Sequence, residues 1–199
     1  MLDDLVRGAD GKDRCFWATS APEYIAYHDE EWAVPTRGQQ AVFERLCLEG
    51  FQSGLSWLVI LRKRENFRAA FKNFDIDQIA RFTDHDVARL LQDAGIVRNR
   101  LKIQATINNA RAARQLDVPL DELLWSFAPG SMRQRPRSRD EVPATTAESV
   151  ALSKELKRRG FRFVGPTTAY AAMQAMGVVD DHLVGCHVAE RGRNSTSAR

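Results

Sequence analysis

The sequence predicts an all-α fold, because three observations agree on helices. Apolar residues recur at helical spacing in several segments, and capping residues and glycines mark where those segments start and stop. No segment shows the sustained alternation of apolar and polar residues that a half-buried strand requires. Hydrophobic residues make up 44% and charged residues 28% of the 199 positions, as in globular domains.

The first half of the chain predicts four helices. Apolar spacing places them over residues 39–49, over 55–68, from Thr83 to Gly95 and over 103–114. Gly50 and Gly54 are expected to separate the first two, because glycine is a weak helix former. Thr83 precedes Asp86 by three residues, which suits an N-cap.

The second half predicts two further helices joined by a glycine-bearing turn. The segment TTAE at 145–148 has the form of a capping box and is expected to open a helix that runs through Arg159. Another helix is expected over Pro166–Met176, with proline at its first position. Residues 128–143 are rich in proline and arginine and are predicted to form a loop.

The two ends of the chain predict little structure. Residues 1–12 are expected to be a disordered leader and residues 191–199 a disordered tail, so that the domain spans 13–190. The polar, acidic start does not resemble a signal peptide, and no apolar run approaches the ~18 residues of a membrane span. A cytoplasmic protein without membrane contact is therefore expected. The net charge of +3 neither requires nor excludes nucleic acid, since a local basic patch matters more.

Two pairs of candidate metal ligands lie at opposite ends of the chain: Cys15 with His28, and His182 with Cys186. The second pair is four residues apart, so on a helix both side chains would share one face. Two thiolates and two imidazoles form a closed tetrahedral zinc site. Spacing alone equally allows a buried thiol, a surface histidine and a chance pair, and Cys47 and His187 leave the ligand set open.

Six segments, in order between residues 13 and 188, carry a common pattern: RCFW at 14–17, YIAYHDEEWAVP at 24–35, LCLEGFQSGLSWLVILRKRENFRAAF at 46–71, LLQDAGIVRNRLKIQATINNARA at 90–112, WSF at 125–127, and LSKELKRRGFRFVGPTTAYAAMQAMGVVDDHLVGC at 152–186. Together they resemble the zinc-containing 3-methyladenine DNA glycosylase family of bacteria. The resemblance implies a helix-hairpin-helix glycosylase fold and base-excision repair of double-stranded alkylated DNA. The implied reaction hydrolyses the N-glycosidic bond of a flipped 3-methyladenine and leaves an abasic site.

The resemblance also implies one structural zinc ion per monomer that joins the N- and C-terminal segments, with these ligands: Cys15, His28, His182 and Cys186. The protein is expected to act as a monomer and to release free 3-methyladenine. Cys47 is then expected to be a thiol packed in the core and not a metal ligand.

The base-reading residue implied by the resemblance is Glu49, as both catalytic and substrate-binding group. Tyr27 and Trp57 would sandwich the base, and Trp17 would line the pocket. The chemistry agrees, because 3-methyladenine is cationic as a nucleoside and is attracted by aromatic faces and by a carboxylate. Glu49 lies in the apolar turn LCLEG, where a carboxylate needs a partner. Core packing alone would explain the aromatic residues about as well.

The segment Gly160–Ala169 resembles the DNA-binding hairpin of the superfamily. A glycine-bearing turn that opens a helix presents N–H groups to a phosphate, so Gly165, Thr167 and Thr168 are expected to contact DNA. Leu55 is expected to enter the gap left by the flipped base. Threonines stand where strand-cleaving relatives carry a lysine, which predicts no lyase activity. A basic approach precedes the turn: Lys154, Lys157, Arg158, Arg159 and Arg162.

Some positions depart from the family pattern. Phe16 and Ala33 replace common glycines, and Phe51 replaces a common glutamine beside the expected pocket. Asp180 lies near the catalytic aspartate of other helix-hairpin-helix glycosylases, at a position where this family often has asparagine, and could face either the sugar or solvent. The Arg-rich loop 131–139 has no assigned role.

Two other classes of function remain open at this point. A non-catalytic binder of damaged DNA could use the same scaffold, and the retention of Glu49, Tyr27 and Trp57 argues for the enzyme instead. A zinc-stabilised helical interaction module would have no use for the GFRFVGPTT turn at 160–168.

Overall fold

The computed structural model describes residues 4–131 and 133–189, and within these ranges the fold is mainly helical, as predicted. The nine α-helices of the described residues are α1 Pro22–Glu30, α2 Gln39–Gln52, α3 Trp57–Ala70, α4 Ile76–Ala80, α5 Asp84–Gln92, α6 Arg100–Ala113, α7 Leu120–Trp125, α8 Ala147–Arg158 and α9 Pro166–Ala175. The described residues also contain two 3-10 helices, Lys72–Phe74 and Arg139–Glu141, and two strands, β1 Leu5–Arg7 and β2 Asp13–Cys15. The expected tail at 191–199 lies outside the described residues.

The described part of the leader forms a small antiparallel hairpin, so the prediction that residues 1–12 are disordered is wrong for residues 4–12. Strand β1 pairs with β2 so that Leu5 lies opposite Cys15. Ion pairs with arginines then hold the hairpin in place: Asp10 binds the buried Arg14 at 2.7 Å, and Asp4 binds Arg139 at 2.5 Å. The second pair links positions 135 residues apart, so local composition could not reveal it.

Helix α2 is longer than predicted and runs through Gly50 to Gln52. A Cβ at Gly50 would lie 3.5 Å from the Cβ of Phe163, an ordinary van der Waals contact, so the turn before α9 packs directly on α2. The next helix begins at Trp57 rather than at Leu55, which leaves Leu55 in the connecting loop. Gly54 has φ +78° and allows the sharp reversal in that loop.

The capping interactions decide where two of the helices begin. The predicted cap of α5 is confirmed, since Thr83 N donates to the Asp86 carboxylate at 2.9 Å. The capping box of α8 uses Thr146 and Ser149, one residue later than predicted: Thr146 N donates to Ser149 Oγ at 2.9 Å, and Ser149 N donates to Thr146 Oγ1 at 3.2 Å. Consecutive threonines made both registers possible, and the buried Ser149 selects this one.

The apolar core surrounds α2, which packs against α3, α6, α7 and α9. Phe51 lies within this core, with its ring 4.6 Å from that of Phe67 and 5.8 Å from that of Phe71. It is not among the residues that line the cavity described below. Helices α8 and α9 pack against each other across the turn at 159–165. No helix of the described residues combines the length and the apolar character needed to cross a membrane.

Candidate active site and metal cluster

A cavity of about 430 Å³ lies between the N-terminal helices, α9 and the segments near residues 140 and 182. This volume is typical of a small-molecule site. Its walls are formed by Cys15, Phe16, Trp17, Tyr24, Tyr27, Trp32, Glu49, Gln52, Trp57, Arg139, Val142, Ala171, Gln174, Asp181 and Leu183. All four predicted substrate-binding residues, Trp17, Tyr27, Glu49 and Trp57, are among them.

One side of the cavity is aromatic. The rings of Tyr27 and Trp57 are 5.4 Å apart at an interplanar angle of 44°. Trp17 meets Tyr24 edge to face at 5.5 Å and Trp32 at 5.1 Å. The Nε1 atom of Trp57 is buried and has no hydrogen-bond partner within the described residues. The pocket therefore offers flat apolar faces and one unused donor.

Glu49 brings a buried carboxylate to this aromatic wall. Only 5% of the residue is exposed, and no donor among the described residues hydrogen-bonds to its side chain. Burial raises the pKa of Glu49 to about 8, and the positive charge of Arg45, one turn earlier on α2, opposes that rise only in part. A carboxylate in this setting is costly unless a ligand meets it, which marks it as a binding group.

An ion-pair network behind Tyr27 holds the three N-terminal helices together. Glu31, just after α1, accepts from Arg45 of α2 at 2.9 Å and from Arg64 of α3 at 2.6 Å. The Arg45 guanidinium is also 5.9 Å from the centre of the Tyr27 ring. The aromatic wall is thus fixed by groups outside the cavity.

A second cluster lies beside the cavity and contains the predicted metal ligands. The ligand atoms of Cys15, His28 and Cys186 all lie within 4.8 Å of one another and are buried. The His182 ring is 4.9 Å from the His28 ring, and its buried Nε2 has no partner among the described residues. Three of the four predicted ligand atoms therefore converge, and the His182 ring lies beside them with one ring nitrogen unsatisfied, which fits the donor set of a tetrahedral zinc site.

Carboxylates orient both of these histidines. Asp29 Oδ1 is 2.8 Å from His28 Nδ1, and Asp180 Oδ1 is 2.7 Å from His182 Nδ1. This arrangement fixes each ring so that Nε2 is available as a ligand, the usual pattern around protein-bound zinc. The hydrogen bond between the two cysteines, and then the one from His28 to Cys186, lower the pKa of the Cys186 thiol and raise that of Cys15.

Of the two residues that left the ligand set open, Cys47 lies away from the cluster, whereas His187 borders it: the ligand atoms of His28, Asp29 and His187 also lie within 4.8 Å of one another. His187 Nε2 is 2.9 Å from Asp29 Oδ1, an oxygen that also meets His28, so it can serve as a hydrogen-bonding group behind the cluster. Cys47 is buried in the core on α2, and burial raises the pKa of its thiol.

Asp180 is held on the metal-cluster side and is not among the residues that line the cavity. Its Oδ1 accepts from the backbone N–H of His182 at 3.1 Å, and its Oδ2 pairs with Arg135 of the Arg-rich loop. Its neighbour Asp181 does line the cavity. Of the two orientations that the sequence left open for Asp180, the one that faces the sugar is not supported by this geometry.

The predicted DNA-contacting residues lie at the start of α9 and on the loop after α2. Gly165 is the N-cap of α9, with Thr167 exposed in the first turn and Thr168 half-buried. Asn109 of α6 fixes the turn through the backbone of Arg162. Its Oδ1 accepts from Arg162 N at 2.8 Å, and its Nδ2 donates to Arg162 O at 3.0 Å. Leu55, on the loop after α2, is 41% exposed.

Lys102 is a functional candidate that sequence reasoning missed. Its buried ammonium donates to the carbonyls of Phe51 at 2.8 Å and of Ser53 at 2.5 Å, at the C-terminal end of α2. A cation at a helix C-terminus is stabilised by the helix dipole, and here it also fixes the start of the loop that carries Leu55. The partners are 49 and 51 residues away, and no local signal announces them.

Comparison with known proteins gives a consistent result. A family model described as "Methyladenine glycosylase" matches residues 17–190. The chain is 50% identical over 178 residues to "DNA-3-methyladenine glycosylase 1" of Escherichia coli, covering 87% of this chain and 95% of that protein. A crystal structure of 3-methyladenine DNA glycosylase I (TAG) aligns with a TM-score of 0.84 at 49% identity, covering 87% of this chain and 98% of the other. The Staphylococcus aureus enzyme, whose structure is described as the basis of 3-methyladenine recognition, aligns at 0.82 with 34% identity, covering 86% and 94%.

Proposed function

The chain belongs to the methyladenine glycosylase family, and on that premise we propose that it removes 3-methyladenine from alkylated DNA in base-excision repair. It hydrolyses the N-glycosidic bond and leaves an abasic site. The single observation that carries this proposal is the buried, unpartnered carboxylate of Glu49 in an aromatic cavity of about 430 Å³.

The cavity complements a cationic purine in two ways. Tyr27 and Trp57 supply aromatic faces, which attract a positively charged ring system. Glu49 supplies a negative charge and can accept the exocyclic amine of 3-methyladenine. Neutral adenine offers the same amine without the charge, so the carboxylate discriminates against undamaged DNA.

The base reaches this cavity only after the nucleotide has left the duplex, at a cost of a few kcal/mol. We assign α8, the turn and α9 as the helix-hairpin-helix unit, with N–H groups near Gly165, Thr167 and Thr168 on a DNA phosphate. Leu55, exposed on its loop, fills the gap in the base stack. Duplex alkylated DNA is the partner, and free 3-methyladenine is released.

The reaction needs little acid catalysis, because the leaving base is already positively charged. We propose simple hydrolysis without strand cleavage, since the start of α9 carries Thr167 and Thr168 rather than an amine nucleophile.

One structural zinc ion per monomer is held by Cys15, His28, His182 and Cys186. The support is the convergence of Cys15, His28 and Cys186, together with the adjacent His182 ring and its unsatisfied Nε2. When bound, the ion supplies a rigid link between the segments at the two ends of the domain. The three cysteines are free thiols, which suits the reducing cytoplasm, and we place the protein there. We propose that it acts as a monomer.

The experiment that tests the proposal measures methylated bases released from alkylated duplex DNA. Release of 3-methyladenine with an intact abasic strand is expected. Binding to alkylated DNA without release would favour the non-catalytic binder, and the absence of salt-dependent DNA binding would favour the helical interaction module.

A further inference from the structure

The Arg-rich loop 131–139, to which the sequence assigns no role, contacts the segment that carries the C-terminal pair of metal ligands. His182 and Cys186 follow the end of α9 and lie in turns and irregular backbone rather than on a helix. No helical hydrogen bonds therefore fix the direction of either side chain. Contacts with neighbouring segments have to supply that rigidity.

Two consecutive residues of the loop hold this segment at three points. Pro136 O accepts from the backbone N–H of Val184, between the two ligands, at 2.9 Å. The guanidinium of Arg135 donates to the carbonyl of Ala189, which follows the second ligand, and to Oδ2 of Asp180, which precedes the first. The loop thus contacts the segment before, between and after its two ligands.

The contact with Asp180 matters most, because the same carboxylate also meets a metal ligand. Asp180 Oδ1 is 2.7 Å from His182 Nδ1 and accepts from His182 N at 3.1 Å, while Oδ2 is bound by Arg135. One oxygen thus faces the ligand and the other faces the loop. The side chain of Arg135 is 16% exposed, so solvent screens the ion pair only weakly.

The N-terminal histidine of the cluster has the same arrangement. Asp29 Oδ1 is 2.8 Å from His28 Nδ1, and Asp29 Oδ2 is 2.8 Å from Nη2 of the buried Arg14. Each histidine is thus backed by a carboxylate and each carboxylate by a guanidinium, although one guanidinium comes from β2 and the other from the Arg-rich loop. Two separate copies of one arrangement indicate that it serves what the two histidines have in common.

We propose that Arg135 is a positioning residue of the metal site, which holds Asp180 in the orientation from which that carboxylate directs His182 at a metal ion. This rests on the zinc site of the proposed function. Oriented in this way, the imidazole keeps its proton on Nδ1 and presents Nε2, the buried nitrogen that has no partner within the described residues. The departure from the family pattern at position 180 and the Arg-rich loop then have one explanation.

The test measures the zinc affinity of the full chain by competition with a metal chelator. Arg135→Gln should bind zinc about tenfold more weakly, because the groups that orient a metal-bound histidine contribute to metal affinity. The sign of the change is informative, since the lost guanidinium repels a cation and an effect of charge alone would tighten zinc binding. Unchanged or tighter binding would therefore show that Arg135 does not position His182.

Two control variants separate positioning from the effects of charge and of stability. Arg137→Gln removes the same charge from the same loop, and the exposed Arg137 side chain makes no hydrogen bond or ion pair within the described residues, so zinc affinity should stay within about twofold of wild type. Asp86→Asn weakens the cap of α5, which packs against α6, so it should melt lower and bind zinc normally. If either control weakens zinc binding as much as Arg135→Gln does, the proposal is wrong.

A double variant tests whether Arg135 acts through Asp180. Asp180→Asn should weaken zinc binding by itself, and adding Arg135→Gln to it should change the affinity by less than about twofold further. A full additional loss would show that Arg135 acts by another route and would overturn the proposal. A wild-type protein that binds no zinc would overturn the proposed zinc site and this inference with it, whereas zinc binding that does not depend on Arg135 would overturn this inference alone.

Discussion

Replacing Glu49 by glutamine should make the protein more stable and less active at the same time. Glutamine keeps the size of the side chain but cannot ionise. Burial raises the pKa of Glu49 from 4.5 to about 8, so the folded protein keeps a proton that the unfolded chain releases. The contribution of this group to stability is therefore complete below pH 4.5 and is lost as the pH rises to about 8.

The size of the effect follows from that pKa. At about 1.36 kcal/mol per pKa unit, ionisation costs the folded wild type at most about 5 kcal/mol above pH 8. Water that enters the cavity reduces this figure. Even half of it would raise the melting temperature of Glu49→Gln by about 5–10 °C at pH 8 in a chain of this size. At pH 4 the two proteins should melt alike, because both side chains are then neutral.

The assays are thermal melting between pH 4 and 9 and base release from alkylated DNA, on the same preparations. Loss of a charge-assisted hydrogen bond costs ~1.5–3 kcal/mol, so excision should slow by roughly tenfold to a hundredfold. Wild-type excision by Glu49→Gln would refute the assignment of Glu49 as the base reader. A melting difference that does not grow between pH 4 and 8 would refute the argument from burial.

Three further outcomes are expected. Elemental analysis of the wild type should show about one zinc ion per chain, and Cys186→Ala should lose this ion and melt at a lower temperature. Full metal content in the variant would exclude Cys186 as a ligand. Borohydride should trap no covalent adduct with alkylated DNA, because Thr167 cannot form a Schiff base, and a trapped adduct would contradict simple hydrolysis. Lys102→Met should slow excision by about tenfold while changing free-base affinity by less than about twofold. The substitution removes the hydrogen bonds to the carbonyls of Phe51 and Ser53 that hold the loop of Leu55, and leaving those carbonyls unpaired costs ~1–3 kcal/mol. Unchanged excision would show that this loop needs no anchor.

Much of the helical architecture could be predicted because its signals are local. The capping pair of Thr83 and Asp86 and the proline at the start of α9 specify helix starts without help from distant residues. Helix α1, Pro22–Glu30, was missed because its buried side chains are the adjacent Tyr27 and His28, which do not give the spacing of three or four that marks an amphipathic face.

The order of the N-terminal hairpin could not be predicted, since it depends on the partners that tertiary structure brings to it. Arg14 is almost fully buried and pairs with Asp10 and Asp29, and neither pairing is visible in the composition of the leader. A polar segment of this kind buries too little apolar surface to order itself, so its order here depends on these arginine partners.

The candidate base-binding site could be predicted only in part. Glu49 stands out because a carboxylate inside an apolar helix turn conflicts with folding alone, and such conflicts mark functional positions. Beside it, the role of Arg135 gave no comparable signal, because its contacts with Asp180 and Ala189 join positions 45 and 54 residues apart. Only the direction in which each side chain points shows that Asp180 faces the Arg-rich loop and Asp181 the cavity, and that depends on how α9 ends.

The charges around the cavity favour the positively charged ligand that we propose for it. Arg45 is the cation that opposes the raised pKa of Glu49, but Glu31 already binds its guanidinium at 2.9 Å, so little of its charge remains for Glu49. Burial then keeps the carboxyl protonated at neutral pH in the free protein. A cationic base restores the missing counter-charge and shifts Glu49 towards the ionised form, whereas a neutral base does not. On the proposed role of Glu49 in base binding, the instability of this carboxylate in the free protein is the source of selectivity for the methylated base.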